Sequence, residues 1–143
     1  MKRRRARFIC GAVALAGPLA GAAGGCATTA EPACDPGDKR RVSDTLYFGG
    51  ATPDGMVDAR EWSQFLAEWV TPRFPDGLTV WQASGQWRDS DGRIIEEPSR
   101  LLNLIHSGDE ADERKVTEIA AEYKRRFQQE AVLRTRGALC VSY

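Results

Sequence analysis

The chain has 143 residues, 42% of them hydrophobic and 28% charged, with 20 basic residues balancing 20 acidic ones. The basic residues are front-loaded: Lys2, Arg3, Arg4, Arg5 and Arg7 fall in the first 25 residues, which hold no acid. Without that segment 15 basic residues face 20 acidic ones, a net charge of −5. A mildly acidic domain lacks the phosphate-neutralising surface that nucleic-acid affinity requires, so nucleic acid is not an expected partner.

The chain opens on "MKRRRAR" and continues with "FICGAVALAGPLAGAAGG". A basic stretch followed by an apolar, small-residue stretch is the layout of a secretory signal over residues 1–25. Its glycines and Pro18 interrupt the apolar run, which argues against a permanent spanning helix. The segment ends Ala23-Gly24-Gly25-Cys26, which is similar to a bacterial lipobox, with Ala23 where leucine is usual. Cys26 is therefore the expected lipidation site, and ordinary cleavage after Ala22 is the alternative. Cysteine parity favours lipidation. With Cys10 lost in the leader and Cys26 acylated, Cys34 and Cys140 remain, and an even pair in an oxidising compartment forms a bridge. The expected location is the periplasm or cell envelope, on an outer-membrane lipid anchor.

Residues 26–44, rich in Pro, Thr, Ala and charge, read as a flexible tether, and residues 45–143 are enough for one domain. "TLYFGG" predicts a strand stopped by glycines, and "ATPDGM" a turn. Asp58 and Glu61 have capping-box spacing, ahead of a helix with Trp62, Phe65, Leu66, Trp69 and Val70 on one stripe and Pro72 as its stop. "LTVWQASGQW" predicts a second strand. Asp91-Gly92 is a hairpin signal, and a two-residue turn there sets Trp87 opposite Glu96 and Arg88 opposite Ile95. The third strand runs from near Arg93 through "LLNLIH", with a bulge or bend expected at Pro98. A second helix follows "SGD", with acids in its first turn and Val116, Ile119, Ala120, Tyr123 and Phe127 on its apolar stripe. The last strand, "AVLRTRGALCVSY", is expected to kink at Gly137.

The order βαββαβ predicts an α+β, ferredoxin-like fold: a four-stranded antiparallel sheet with both helices on one face. Strand three offers Leu101 and Ile105 to one side and Leu102 and Leu104 to the other, and strand two splits Val80 and Trp81. A sheet that is apolar on both sides calls for cover on its helix-free face, from a second subunit, a ligand or the tether. "LYFGG", "TPRFPDGLTVWQASGQWRDSDGRIIEEPS" and "CVSY" resemble the bacterial domain-of-unknown-function 3574 family of small exported lipoproteins. The resemblance implies a small periplasmic α/β domain and supplies no catalytic role.

Candidate sites are few. Asp89-Ser90-Asp91-Gly92 superficially resembles a calcium loop, but Arg93 and Arg100 would occupy its fifth and twelfth positions, where oxygen ligands belong. His106 is the only histidine, so a two-histidine zinc site is impossible, and it reads as a polar strand terminus. No metal or cofactor is expected, and no serine or cysteine has a base partner. Trp81, Gln86, Trp87, Arg88 and Glu96 form the one candidate ligand or interface group. The favoured function is non-enzymatic binding or self-assembly, as a homodimer, through the helix-free face. A small-molecule enzyme or ligand binder resembling the dimeric ferredoxin-like monooxygenases is the alternative, on fold-level analogy alone.

Overall fold

In the computed structural model, which describes residues 33–142, the folded chain begins earlier than its composition suggests. The leader over 1–25, Cys26 and tether residues 27–32 lie outside the described residues, as does Tyr143. Residues 39–44 are not tether: strand β1 spans Lys39–Gly49. Val42 and Asp44 sit opposite His106 and Leu104 on one side, and opposite Ala138 and Arg136 on the other. Charge alone is a poor guide there, because Asp44 is fully buried and its charge is met by partners from other strands.

Four long strands, β1, β4 (Thr79–Arg88), β5 (Ile94–His106) and β6 (Leu133–Val141), form one antiparallel sheet in the order β4-β5-β1-β6. With helix α1 (Ala59–Phe65) and helix α2 (Glu110–Phe127) this is the ferredoxin-like βαββαβ arrangement. A two-residue ladder, β2 (Ala51–Thr52) with β3 (Gly55–Met56), occupies the segment that reads as a simple turn.

Asp58 caps α1 by accepting from Glu61 N–H at 2.8 Å, while its own N–H donates to Glu61 Oε2 at 2.8 Å. The helix then widens into a π-helical turn over Leu66–Val70, closed by Thr71 N–H on the Leu66 carbonyl. The wider turn swings Val70 onto the face of Phe65, and both are fully buried. α2 is capped by Asp109 and ends at Gln128, which takes the left-handed conformation at φ 52°. Leu46, Phe48, Leu102 and Leu104 of the sheet pack with Phe65, Val116, Ile119 and Tyr123 of the helical layer. Burial pushes the Tyr123 phenol up to about 12, and its hydroxyl donates to the Gly49 carbonyl at 2.8 Å.

Three local expectations give way. β5 keeps an unbroken register through Pro98, whose carbonyl accepts from Gly50 N–H just past the end of the β1 pairing. The missing proline N–H therefore costs no ladder bond. β6 likewise runs straight through Gly137, opposite Ser43. The hairpin between β4 and β5 is longer than two residues. The Asp89 carboxylate accepts from the N–H groups of Asp91 and Arg93 at 3.0 and 2.8 Å, and Gly92 takes φ 83°. Trp87 thus faces Ile95, Arg88 faces Ile94, and Gln86 faces Glu96.

Cys34 and Cys140 are joined by a disulfide, with their Cα atoms 5.5 Å apart across 106 positions of sequence. It ties the segment before β1 to the edge strand β6. Replacing Cys34 by serine is expected to lower unfolding stability by about 2–4 kcal/mol in denaturant titrations. An unchanged midpoint would show that the staple contributes nothing to the folded state.

Candidate functional site

The unbroken run of β5 through Pro98 decides which acid reaches the helix-free face, because alternate residues of a strand point to opposite sides. Leu102 and Leu104 lie under the helices, so Ile95, Glu97, Ser99, Leu101 and Ile105 belong to the open side. Glu96 pairs with Gln86 across the hairpin, Gln86 Nε2 donating to Glu96 Oε1 at 2.9 Å. Glu97 takes the place the sequence assigns to Glu96.

Glu97 is buried, at 9% exposure, and its Oε2 accepts from Ala51 N–H at 2.6 Å. Gly49 makes room for it: a Cβ there would fall 2.4 Å from Glu97 Oε1 and 2.9 Å from Gln129 Oε1. The left-handed turn at Gln128 carries the chain round so that Gln129 Nε2 donates to the carbonyls of Ala51 and Phe127. These groups border a half-enclosed cavity of about 220 Å³, with walls that include Tyr47, Trp87 and Leu133 and polar groups from Glu97, Ser99 and Gln129. The Trp87 Nε1–H is buried and has no hydrogen-bond partner among the described residues. A buried donor left unmade is costly, and this one is closed off from solvent.

The residues singled out from sequence therefore separate. Trp87 and Gln86 border the cavity. Trp81 lies on the same face, 49% exposed, but outside its walls. Arg88 and Glu96 are exposed on the opposite side of the strands by alternation. Glu97, Gln129 and Tyr47 are among the lining residues that the sequence does not flag. The only available signal was the pair Glu96-Glu97, one of which had to face each side.

A second polar cluster lies on the helical side. Asp44 accepts from Arg134 Nε at 2.8 Å and Nη2 at 2.7 Å, and contacts His106 Nε2 at 2.8 Å. Arg134 and Arg136 also bind Glu113 of α2. Burial works against the charge on Asp44, but the hydrogen bonds from Arg134 and His106 outweigh it and hold the carboxyl below its usual range. Arg134 and Arg136 hold Glu113 down to about 2. His106 does end β5, but as a buried residue rather than a solvated terminus. Gly108 N–H donates to its Nδ1 at 3.1 Å, which leaves Nε2–H to donate to Asp44. With both ring nitrogens engaged, His106 joins strands and helix rather than serving as a free base. Among the described residues no three His, Cys, Asp or Glu side chains are grouped to hold a metal ion.

The family described as "Protein of unknown function (DUF3574)" matches residues 43–143, and the chain belongs to it. No curated protein matches the chain. Among solved structures, a phage SAM lyase in complex with S-methyl-5'-thioadenosine is similar, at TM-score 0.57 and 15% identity, over 80% of this chain and 97% of that one. The same phage enzyme in its apo state matches at TM-score 0.54 and 15% identity, over 75% and 91%. A PII-like signaling protein from Thermus thermophilus follows at TM-score 0.45 and 18% identity, over 73% and 91%. At these identities the likeness concerns the fold.

Depressed carboxylates stabilise the folded state above their ordinary range, and that contribution is lost as pH falls toward the folded value. Asp112 and Glu113, both held near 2, and Asp44 therefore predict stability that declines as pH drops from about 4 toward 2. Asp44→Asn is expected to cost on the order of 3 kcal/mol at neutral pH, by leaving Arg134 half-paired, and to flatten this acid limb. Urea unfolding followed across pH reads both effects, and parallel acid limbs for native and variant would contradict the assignment.

Proposed function

We propose that this member of the DUF3574 family is an exported, lipid-anchored domain without catalytic activity, which works by pairing with a second copy through the helix-free face of its sheet. The observation that carries this reading is the character of that face. Trp81, Ile105 and Leu133 stand 49%, 45% and 61% exposed on it, beside Tyr47, Leu101 and Leu139. By strand alternation its charged residues are Lys39 and Arg41 at one end of β1 and the buried Glu97.

A second copy suits such a surface better than a charged partner does. In a two-fold interface residue i meets residue j of the partner and only groups near the axis meet their own copy, so a centre without charge suffers no such repulsion. The polar residues of the face also satisfy one another. Asn103 Nδ2 donates to Ser43 Oγ at 2.7 Å and to Thr45 Oγ1 at 3.0 Å, so covering them strands few groups. Anchoring both copies to one membrane would raise their effective concentration without any new contact.

The basic-then-apolar leader and the Cys26 lipobox support export to the envelope, and the Cys34–Cys140 bridge supports an oxidising compartment. An enzyme reading finds less to stand on. The phage lyase shares the architecture, but chemistry belongs to sites rather than folds, and the one histidine is committed to Asp44.

The mature chain is expected to sediment at twice its protomer mass, and Trp81→Arg at the protomer mass with an unchanged melting temperature. A native chain that stays monomeric at every concentration would overturn the pairing. For the anchor, intact mass of protein extracted from membranes is expected to show an acylated Cys26 as the first residue; an unmodified terminus at Ala23 would contradict it.

A further inference from the structure

We propose that the cavity beside Glu97 binds a small organic cation, an ammonium or amidinium group on an apolar or aromatic body. All but one of the buried acids among the described residues have a cationic partner. Among the described residues three carboxylates are buried: Asp44, Glu97 and Glu122. Asp44 is met by Arg134, and Glu122 is met by Arg125 through two hydrogen bonds at 2.6 and 2.7 Å. Glu97 has no cation among the described residues, and its one protein hydrogen bond there comes from Ala51 N–H. A buried carboxylate without a counter-charge is costly, and the economical arrangement is one in which the counter-charge arrives from outside.

The surroundings suit that arrival. Glu97 Oε1 accepts no hydrogen bond from the described residues, and Gln129, whose Nε2 is spent on two backbone carbonyls, keeps its Oε1 close by. Together they offer acceptors to an N–H-bearing cation. Tyr47 and Trp87 supply aromatic walls of the kind that attract cations, and Leu133 adds apolar surface. A volume of about 220 Å³ holds about seven waters at ~30 Å³ each, or one organic molecule of roughly ten heavy atoms. Gly49 keeps this geometry open, since any side chain there would displace Glu97.

The inference goes beyond self-association and does not rest on it. Benzamidinium is a probe of the right size and charge, and benzamide is its neutral counterpart of similar shape. Calorimetric titration of the full mature chain is expected to show saturable binding of benzamidinium, with benzamide weaker by about tenfold or more. Glu97→Gln is expected to abolish that preference. Leu133→Trp, at an exposed wall position, is expected to weaken benzamidinium without touching the carboxylate. Trp81→Arg, outside the walls, is expected to keep the preference for benzamidinium over benzamide. Equal binding of the two probes, no saturable binding of benzamidinium, or full binding by a folded Glu97→Gln variant would each overturn the proposal.

Discussion

A four-stranded sheet has two faces, and in this chain both helices go to the same one. On the covered side Leu46, Phe48, Leu102 and Leu104 lose all contact with water beneath Phe65, Ile119 and Tyr123. On the other side Trp81, Ile105 and Leu133 keep half or nearly half of their surface in solvent. Burial of apolar area is the dominant favourable term in folding, so a bare apolar face is an unspent driving force. The domain buries one side of its sheet and leaves the other in solvent.

The buried acids show the same division. On the covered side, Asp44 draws His106, Arg134 and, through Arg134, Glu113 into one network that joins β1, β5, β6 and α2. Its charge is answered within the fold, and it secures β6, an edge strand, to the helical layer. The Cys34–Cys140 bridge reinforces the far end of that edge. Glu97, near the open side, is held in place by Ala51 N–H and the space left at Gly49, but its charge is not answered among the described residues. One acid is structural because it has partners, and the other is available because it lacks them.

Much of this was legible in the sequence where the signal is local. The capping pair Asp58–Glu61, the apolar stripe of α2 and the two-sided strand "LLNLI" all depend on neighbours within a turn or an alternation, and the structure has them. Cysteine parity also sufficed for the bridge. The misses are long-range or depend on a single residue of register. β1 begins at Lys39 because residues 39–44 pair with Arg136–Val141 of β6, and Asp44 meets Arg134, 90 positions away, so no window of sequence contains both. The hairpin is set by the Asp89 side chain bonding backbone groups, which lengthens the turn and sets Trp87 opposite Ile95, while the unbroken run through Pro98 puts Glu97 rather than Glu96 on the open side. Gln129 enters the site only because Gln128 turns left-handed, and a glutamine in that role carries no sequence flag.

The proposed self-pairing would cover Trp81 on the helix-free face. Met56 and Trp81 are almost equally exposed, 48% and 49%, but Met56 lies on the small β2–β3 ladder, away from that face. Hydroxyl-radical footprinting of the mature chain at high and low concentration compares them within one sample. With pairing, Trp81 is protected at high concentration and labelled on dilution, while Met56 is labelled equally at both. Labelling of Trp81 that ignores concentration and tracks Met56 throughout would contradict it.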